Sequence, residues 1–306
     1  MDTVLISGGS GLIGSALCRF LLTSGYSVIV LTRNPKKKPV QSPGIRYAGW
    51  DPAKKIIPSG VFAEAKYVIN LAGEGVVDKA WTEKRKREIR ESRILSSELI
   101  VEGIKANPDQ IESVVSASAI GWYRSNPSVP AVETDPSDPG FLGETCRLWE
   151  DAILPVNELG KKLVILRTGI VLSRDGGAFP EFARPVRFGI APILGSGKQI
   201  ISWIHIEDLC RLYLEALVNP ALTGIYNAVS PYPENNRDFI MALAKKMKGR
   251  FFIPVSVPTF LMRWIMGDRS EEVLKSSNIS QAKLSGEGFQ FIYPSIDAAF
   301  RELLIH

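Results

Sequence analysis

Apolar residues fall in short continuous runs through the first half of the chain, and these runs alternate with stretches of helical periodicity. Thr3–Ser7 (TVLIS) predicts a buried strand, and Leu12–Ser24 a helix with Leu12, Ile13, Ala16, Leu17, Phe20 and Leu21 on one face. Ser27–Thr32 (SVIVLT) predicts a second strand, entered through Gly25, which suits a helix C-cap. Ile45–Trp50, Tyr67–Leu71, Ser113–Ser118 and Leu163–Thr168 read as the third to sixth strands. A charged helix, roughly Glu83–Ala106, lies between the fourth and fifth. Another, roughly Gly143–Leu159, lies between the fifth and sixth, with Pro155 interrupting its second half.

Continuous apolar strands alternating with helices predict a parallel sheet covered on both faces, with right-handed crossovers. The expected fold class is a Rossmann-type doubly wound α/β sheet, with ligands at the carboxyl ends of its strands. The texture changes after Thr168. Residues 172–205 are rich in Gly and Pro, a helix starts at Ile206, and Pro231, Pro233, Pro254, Pro258 and Pro294 punctuate the tail. Residues 1–171, with a later strand and helix near 204–228, are expected to form the doubly wound domain. Residues 172–203 and 229–306 form a smaller lobe that covers its ligand and holds a substrate.

Gly8-Gly9-Ser10-Gly11-Leu12-Ile13-Gly14 follows the first strand and opens the first helix. That strand–turn–helix context is what a dinucleotide-binding turn needs. Gly8 permits the tight turn, Gly11 lets a pyrophosphate approach backbone, and Gly14 lets helix and strand pack closely. N–H groups of Ser10, Leu12 and Ile13 and the helix dipole would hold the phosphates. An acidic residue ending the second strand would bind the 2′-hydroxyl of NAD. The chain has Thr32-Arg33-Asn34 there, followed by Lys36, Lys37 and Lys38. Arg33 can stack on adenine and pair with a 2′-phosphate, which favours NADP(H) over NAD(H), while the lysines read as a solvated basic turn. The small residues of Asn70-Leu71-Ala72-Gly73 would let backbone run beside the dinucleotide.

The chain has 306 residues, 45% of them hydrophobic, which suits one large α/β domain with a small appendage. The net charge of +5 is spread along the chain rather than gathered in a patch, so nucleic acid is not an expected partner. No apolar run reaches the length of a membrane span, and no membrane partner is expected. Asp2 leads straight into a strand, so no signal peptide is expected. Three scattered cysteines, Cys18, Cys146 and Cys210, fit a reducing, cytoplasmic setting. No ligand-spaced Cys or His cluster suggests a metal, and neither a G-x-S-x-G elbow nor a Walker lysine occurs.

The glycine turn, the NLAG strand end, Ser116-Ala117-Ser118-Ala119-Ile120-Gly121-Trp122-Tyr123 and Trp203-Ile204-His205-Ile206-Glu207-Asp208-Leu209 follow one another in the order of the extended short-chain dehydrogenase/reductase superfamily. Together with Gly195-Ser196-Gly197-Lys198-Gln199, Gly288-Phe289-Gln290-Phe291 and Tyr293-Pro294, they resemble an atypical, epimerase-like branch over essentially the whole chain. Typical members of the superfamily use Ser, Tyr and Lys, with Tyr-x-x-x-Lys on the helix after the fifth strand. If Glu150 matches the glutamate that usually follows, Leu142 holds the Tyr position and Cys146 the Lys position, so the dyad is absent. The resemblance implies such a Cys-for-Lys replacement, and Arg93 in place of a supporting Asn.

The resemblance matches Ser118 to the retained Ser, where it either donates a hydrogen bond to substrate or caps the strand end. Cys146 is either a reactive thiol or a small buried hydrophobe. Tyr123 reads as a packing or substrate-contact residue, and His205 as a structural residue at a strand-to-helix junction, with Asp208 capping or orienting it. Arg93 and Glu88 on the charged helix, Ser116, Arg167 and Val171 complete the expected cofactor contacts. The expected function is oxidoreductase or epimerase chemistry on an unidentified small polar or sugar-like substrate, in a possible homodimer. The alternative is an NADP(H)-binding sensor or regulator without turnover.

Overall fold

The computed structural model describes residues 1–35 and 43–305; Lys36, Lys37 and Lys38 lie outside the described residues. In chain order the strands are β1 (Thr3–Ser7), β2 (Ser27–Thr32), β3 (Ile45–Gly49), β4 (Tyr67–Asn70), β5 (Ser113–Ala119), β6 (Asn126–Ala131), β7 (Lys162–Thr168), β8 (Ile170–Ser173), β9 (Gly176–Gly177), β10 (Ile190–Leu194), β11 (Ile200–Ile201), β12 (Trp203–His205), β13 (Gly224–Ala228), β14 (Glu234–Asn235), β15 (Ile253–Val257) and β16 (Ser277–Ile279). The helices are α1 (Leu12–Thr23), α2 (Val61–Glu64), α3 (Glu83–Lys105), α4 (Phe141–Ile153), α5 (Pro155–Glu158), α6 (Ala178–Arg187), α7 (Ile206–Val218), α8 (Asn236–Lys248), α9 (Thr259–Met266), α10 (Arg269–Leu274), α11 (Ala282–Gly286) and α12 (Ile296–Leu303).

Seven strands form one sheet in the order β13-β7-β5-β4-β1-β2-β3, every neighbouring pair parallel. The order reverses beside β1, the switch point at which doubly wound sheets bind ligands. Side chains alternate between two buried faces. Val4, Ile6, Val28 and Val30 pack with Leu17 and Leu21 of α1 and with Leu209 and Tyr213 of α7. Leu5, Ile29 and Leu31 pack on the other face with Phe62 of α2 and Leu99, Ile100 and Ile104 of α3.

Several expected element ends shift by one residue, those of β3 and β4 among them. Trp50 and Leu71 leave the strand pattern, so β3 ends at Gly49 and β4 at Asn70. The expected helix over 143–159 is two helices, because Pro155 occupies the first turn of α5 rather than the interior of α4.

A second core lies outside the sheet. Leu172, Phe179, Val186 and Trp203 pack with Phe239, Ile240 and Leu243 of α8 and with Phe300 and Leu303 of α12. His205 and Asp208, at the start of α7, tie that core back to the sheet. His205 Nε2 lies 2.9 Å from Glu302 Oε2, while its Nδ1 accepts from the Glu207 N–H at 3.3 Å. Burial depresses its pKa against the pull of Glu302, so the ring is a neutral cap rather than a base. Asp208 accepts the backbone N–H groups of Ile292 at 2.8 Å and Tyr293 at 2.9 Å. Among the described residues no helix is long and apolar enough to cross a membrane.

Candidate functional site

The glycine turn is held by contacts that no side chain could share. A Cβ on Gly8, whose φ is +71°, would lie 2.7 Å from the carbonyl carbon of Leu71. One on Gly14 would lie 2.3 Å from the carbonyl oxygen of Gly8. Gly8 therefore requires glycine for both conformation and packing, and Gly14 for packing. Gly11 differs: the nearest atom to an added Cβ is 3.4 Å away, and Gly11 lines an open cleft. Gly11 is also the N-cap of α1, with no side chain capping the helix and no acidic residue in its first turn. The N–H groups there, those of Leu12 and Ile13 included, remain available to an anion.

A buried polar network fixes the neighbouring strand ends. Ser7 Oγ donates to Asn70 Oδ1 at 2.7 Å and accepts from the N–H groups of Leu71 and Ala72 at 3.1 and 3.2 Å. Asn70 Nδ2 donates to Ser97 at 3.0 Å and to Ser116 at 3.3 Å. The network sets the NLAG backbone beside the glycine turn, and it occupies the side chain of Ser116 beneath the cleft.

The cleft has a volume of about 910 Å³ and opens above β1, β2 and β4. Gly8, Ser10, Gly11, Thr32, Arg33, Leu71, Ala72, Gly73 and Glu88, all expected cofactor contacts, line it. Glu74, Lys79 and Arg85 line it too, unforeseen because Glu74 and Lys79 lie in a loop and Arg85 falls in a run of charges that reads as a solvated helix face. Arg33 pairs with Glu74 at 3.3 Å, and Glu74 also receives Arg85 at 3.2 Å. Partial burial opposes ionisation of Glu74, but hydrogen bonds from Arg85 and Arg33 hold its carboxyl below the usual range. Arg85 is nearly buried and also donates to Glu88 and to the carbonyl of Gly75. Arg93 lies directly under Gly73: it donates to the carbonyls of Glu74 and Ile89 and stands over the Trp149 ring at 5.0 Å.

The carboxyl edge beyond β5 is closed. Arg167 makes a two-pronged pair with Glu150, at 2.8 and 2.9 Å, and both side chains are buried. Its guanidinium also donates to Tyr123 and to the Glu133 carbonyl, both at 3.0 Å, and stacks on Trp122 at 3.6 Å. The guanidinium of Arg167, an expected cofactor contact, is thus committed to partners inside the protein. Ser118, read from sequence as a donor to substrate or a strand cap, donates to Glu150 Oε1 at 2.6 Å. Tyr123 donates to Asn227 Oδ1 at 2.5 Å, and burial pushes its phenol up to about 12. Val171 lies in β8, paired with Ile204.

Leu142 and Cys146 sit below Gly121, whose added Cβ would meet Leu142 Cβ at 3.3 Å and Cys146 Sγ at 3.7 Å. Burial, with Glu150 nearby, pushes the Cys146 thiol up to about 11, so it is a buried hydrophobe and not a thiolate. A second cavity of about 590 Å³ begins at Leu142. Trp81 and Phe141 form one wall of it, and Arg263 and Lys275 of the C-terminal segment another.

Fold and cleft together define a Rossmann-type α/β protein with a nucleotide-shaped site at its switch point. The chain belongs to the NAD dependent epimerase/dehydratase family, whose model matches residues 4–229, and a domain of unknown function (DUF1731) matches residues 257–303. An epimerase family protein of Staphylococcus haemolyticus is 33% identical over 99% of each chain. The human epimerase family protein SDR39U1, solved with NADPH, superposes with a TM-score of 0.86 at 28% identity over 98% of both chains. A nucleoside-diphosphate sugar epimerase from Corynebacterium glutamicum gives a TM-score of 0.78 at 32% identity, covering 99% of this chain and 58% of its own. The resemblance to the atypical epimerase-like branch therefore holds along the whole chain.

Proposed function

We propose that the glycine-turn cleft binds NADP(H) and that the chain is an oxidoreductase or epimerase acting on a small polar or nucleotide-sugar-like substrate. One observation carries the cofactor reading: β2 ends in Thr32-Arg33-Asn34, with Arg33 lining the cleft and no carboxylate in those three positions. The human relative solved with NADPH supports it. NAD(H) is the weaker candidate, since the 2′-hydroxyl of its ribose would meet a cation there. The residues present fit such a ligand. Gly11 leaves room for phosphates, the α1 N-terminus faces them, and Gly73 lines the same cleft with Arg93 packed where a side chain would sit.

When bound, NADP(H) supplies a hydride donor or acceptor. The chain's own residues do the rest. Arg33 would exchange Glu74 for the 2′-phosphate. The second cavity would hold the substrate between the sheet domain and the C-terminal segment. Ser118 would enter only by exchanging Glu150 for a substrate oxygen. Leu142 and Cys146 move no proton, so proton transfer falls to the substrate, to solvent or to groups lining the second cavity. Three unpaired cysteines fit a cytoplasmic location.

The second reading, an NADP(H)-binding sensor without turnover, is favoured by the same Leu142 and Cys146. Titrating the protein with NADPH, NADP⁺, NADH and NAD⁺, followed by NADPH oxidation against a panel of carbonyl compounds, separates the two. Turnover of any substrate selects the enzyme. Tight NADPH binding with no turnover, and a clear difference between NADPH and NADP⁺, selects the sensor.

A further inference from the structure

The parallel pair β10–β15 turns an apolar face outward. Ile190 stands opposite Ile253, and Pro192 opposite Val255. Phe188 and Phe251 lie two residues before the two strands, Phe188 as the C-cap of α6. Ala191 and Ile193, on the other face of β10, are buried, and α8 packs against that strand. The outward residues are not: Phe188 is 81% exposed, Phe251 86% and Ile253 69%. Single exposed apolar side chains are ordinary, but a contiguous set centred on two phenylalanines is a binding surface.

The chemistry of the partner follows from the rim. Register brings two Arg-Phe dipeptides, Arg187-Phe188 and Arg250-Phe251, to the same end of the pair. The last turns of α6 and α8 end there and add Lys245 and Lys248. Cations at helix ends answer the helix dipole, but that does not explain exposed aromatics beside them. Among the described residues Arg187, Arg250, Lys245 and Lys248 form no ion pair, whereas Arg184 pairs with Glu181 and Lys246 with Asp297. Edge-to-edge pairing with another strand is discouraged by Pro254, because the Ile253 N–H already points to the carbonyl of Gly189, just before β10, and the next donor along the edge is missing. A second copy would bring one cationic rim against another.

The geometry points to a peripheral docking surface for an anionic lipid bilayer, with Phe188 and Phe251 entering the headgroup region and Arg187, Arg250, Lys245 and Lys248 contacting lipid phosphates. The expectation of no membrane partner rested on spanning length, and a surface of this kind needs no span.

The test is sedimentation of the full chain with phosphatidylcholine vesicles, with and without about one-third phosphatidylglycerol. Binding is expected to the anionic vesicles alone and to weaken as salt rises. The double variant Phe188→Ser/Phe251→Ser should lower partitioning at least about tenfold. Arg187→Gln/Arg250→Gln should lower it about fivefold per arginine. Neither should move the melting temperature appreciably, since the side chains are exposed. Equal binding to both vesicle types, or to neither, overturns the proposal. So does a lipid-free dimer that dissociates in the phenylalanine variant, which would give the face to a second copy.

Discussion

The carboxyl edge of one sheet carries two unlike halves. Over β1, β2 and β4 it is an open cleft whose charged groups, Arg33, Glu74 and Glu88, face solvent and can exchange partners. Over β5, β7 and β13 the corresponding level is filled by Arg167, Glu150, Ser118, Tyr123 and Asn227, each already bonded to another. The difference teaches that one sheet can leave an open cleft over its switch point while the neighbouring strand ends close over a polar core. Removing the Tyr and Lys positions leaves Leu142 and Cys146 to pack, and the retained Ser118 turns inward.

If the second half is a sealed core, breaking it must cost stability rather than activity. Arg167→Ala should leave Glu150 charged and buried and cost about 3–5 kcal/mol in urea unfolding. A loss below about 1 kcal/mol would show that the network is soft and that the two halves do not differ as described. The next largest effect separates glycines within the open half. Gly14→Val must push backbone apart and should cost about 1–3 kcal/mol. Gly11→Ala should change stability by no more than about 0.5 kcal/mol, because its surroundings are open. It should nevertheless weaken NADPH binding about tenfold, if phosphates approach there.

Arg33→Ala sharpens the same half. NADPH affinity should fall about ten- to a hundredfold while NADH affinity changes little, read by fluorescence titration. The exposed Arg33–Glu74 pair itself should add almost nothing to stability. A smaller effect concerns the thiols. Burial pushes Cys18 and Cys146 up to about 11 and Cys210 up to about 12. A folded pKa above the unfolded one gives stability that is whole below about 8.5 and is lost as pH rises through the folded values. Native protein at pH near 8 should therefore resist a thiol reagent until urea is added. The smallest effect belongs to His205, whose folded pKa is depressed by burial. Its contribution is present above about 6.5 and is lost as pH falls through the folded value. His205→Gln should flatten the acid side of the stability curve.

Much of the open half was legible in sequence because its signals are local. A glycine turn needs only its own neighbours, and β1, β2 and β4 announce themselves by unbroken apolar runs. The start of α7 at Ile206 was equally plain, where His205 caps it. The sealed half was not legible. Ser118 and Glu150 stand 32 residues apart, and Arg167 and Tyr123 44, so only the folded sheet reveals them as partners. Pro155 could be seen to disturb a helix, but not that it would open a new one. β10 and β15 lie in stretches read only as rich in Gly and Pro, and only the structure shows that they pair and which side of the pair faces out.

The place of β13 in the sheet has a consequence for synthesis. β13 is the last strand of the sheet to leave the ribosome, and it pairs only with β7. Between the two the chain must first make α6, β10, β12 and α7. A nascent chain that has passed Thr168 can complete the nucleotide-facing half, but it carries β7 as a bare parallel edge rich in Val, Ile and Leu. Closing that edge requires a long loop to return, a slow step by its topology. A stop or cleavage between Thr168 and Ala228 should therefore yield a product that aggregates even though its glycine turn is whole.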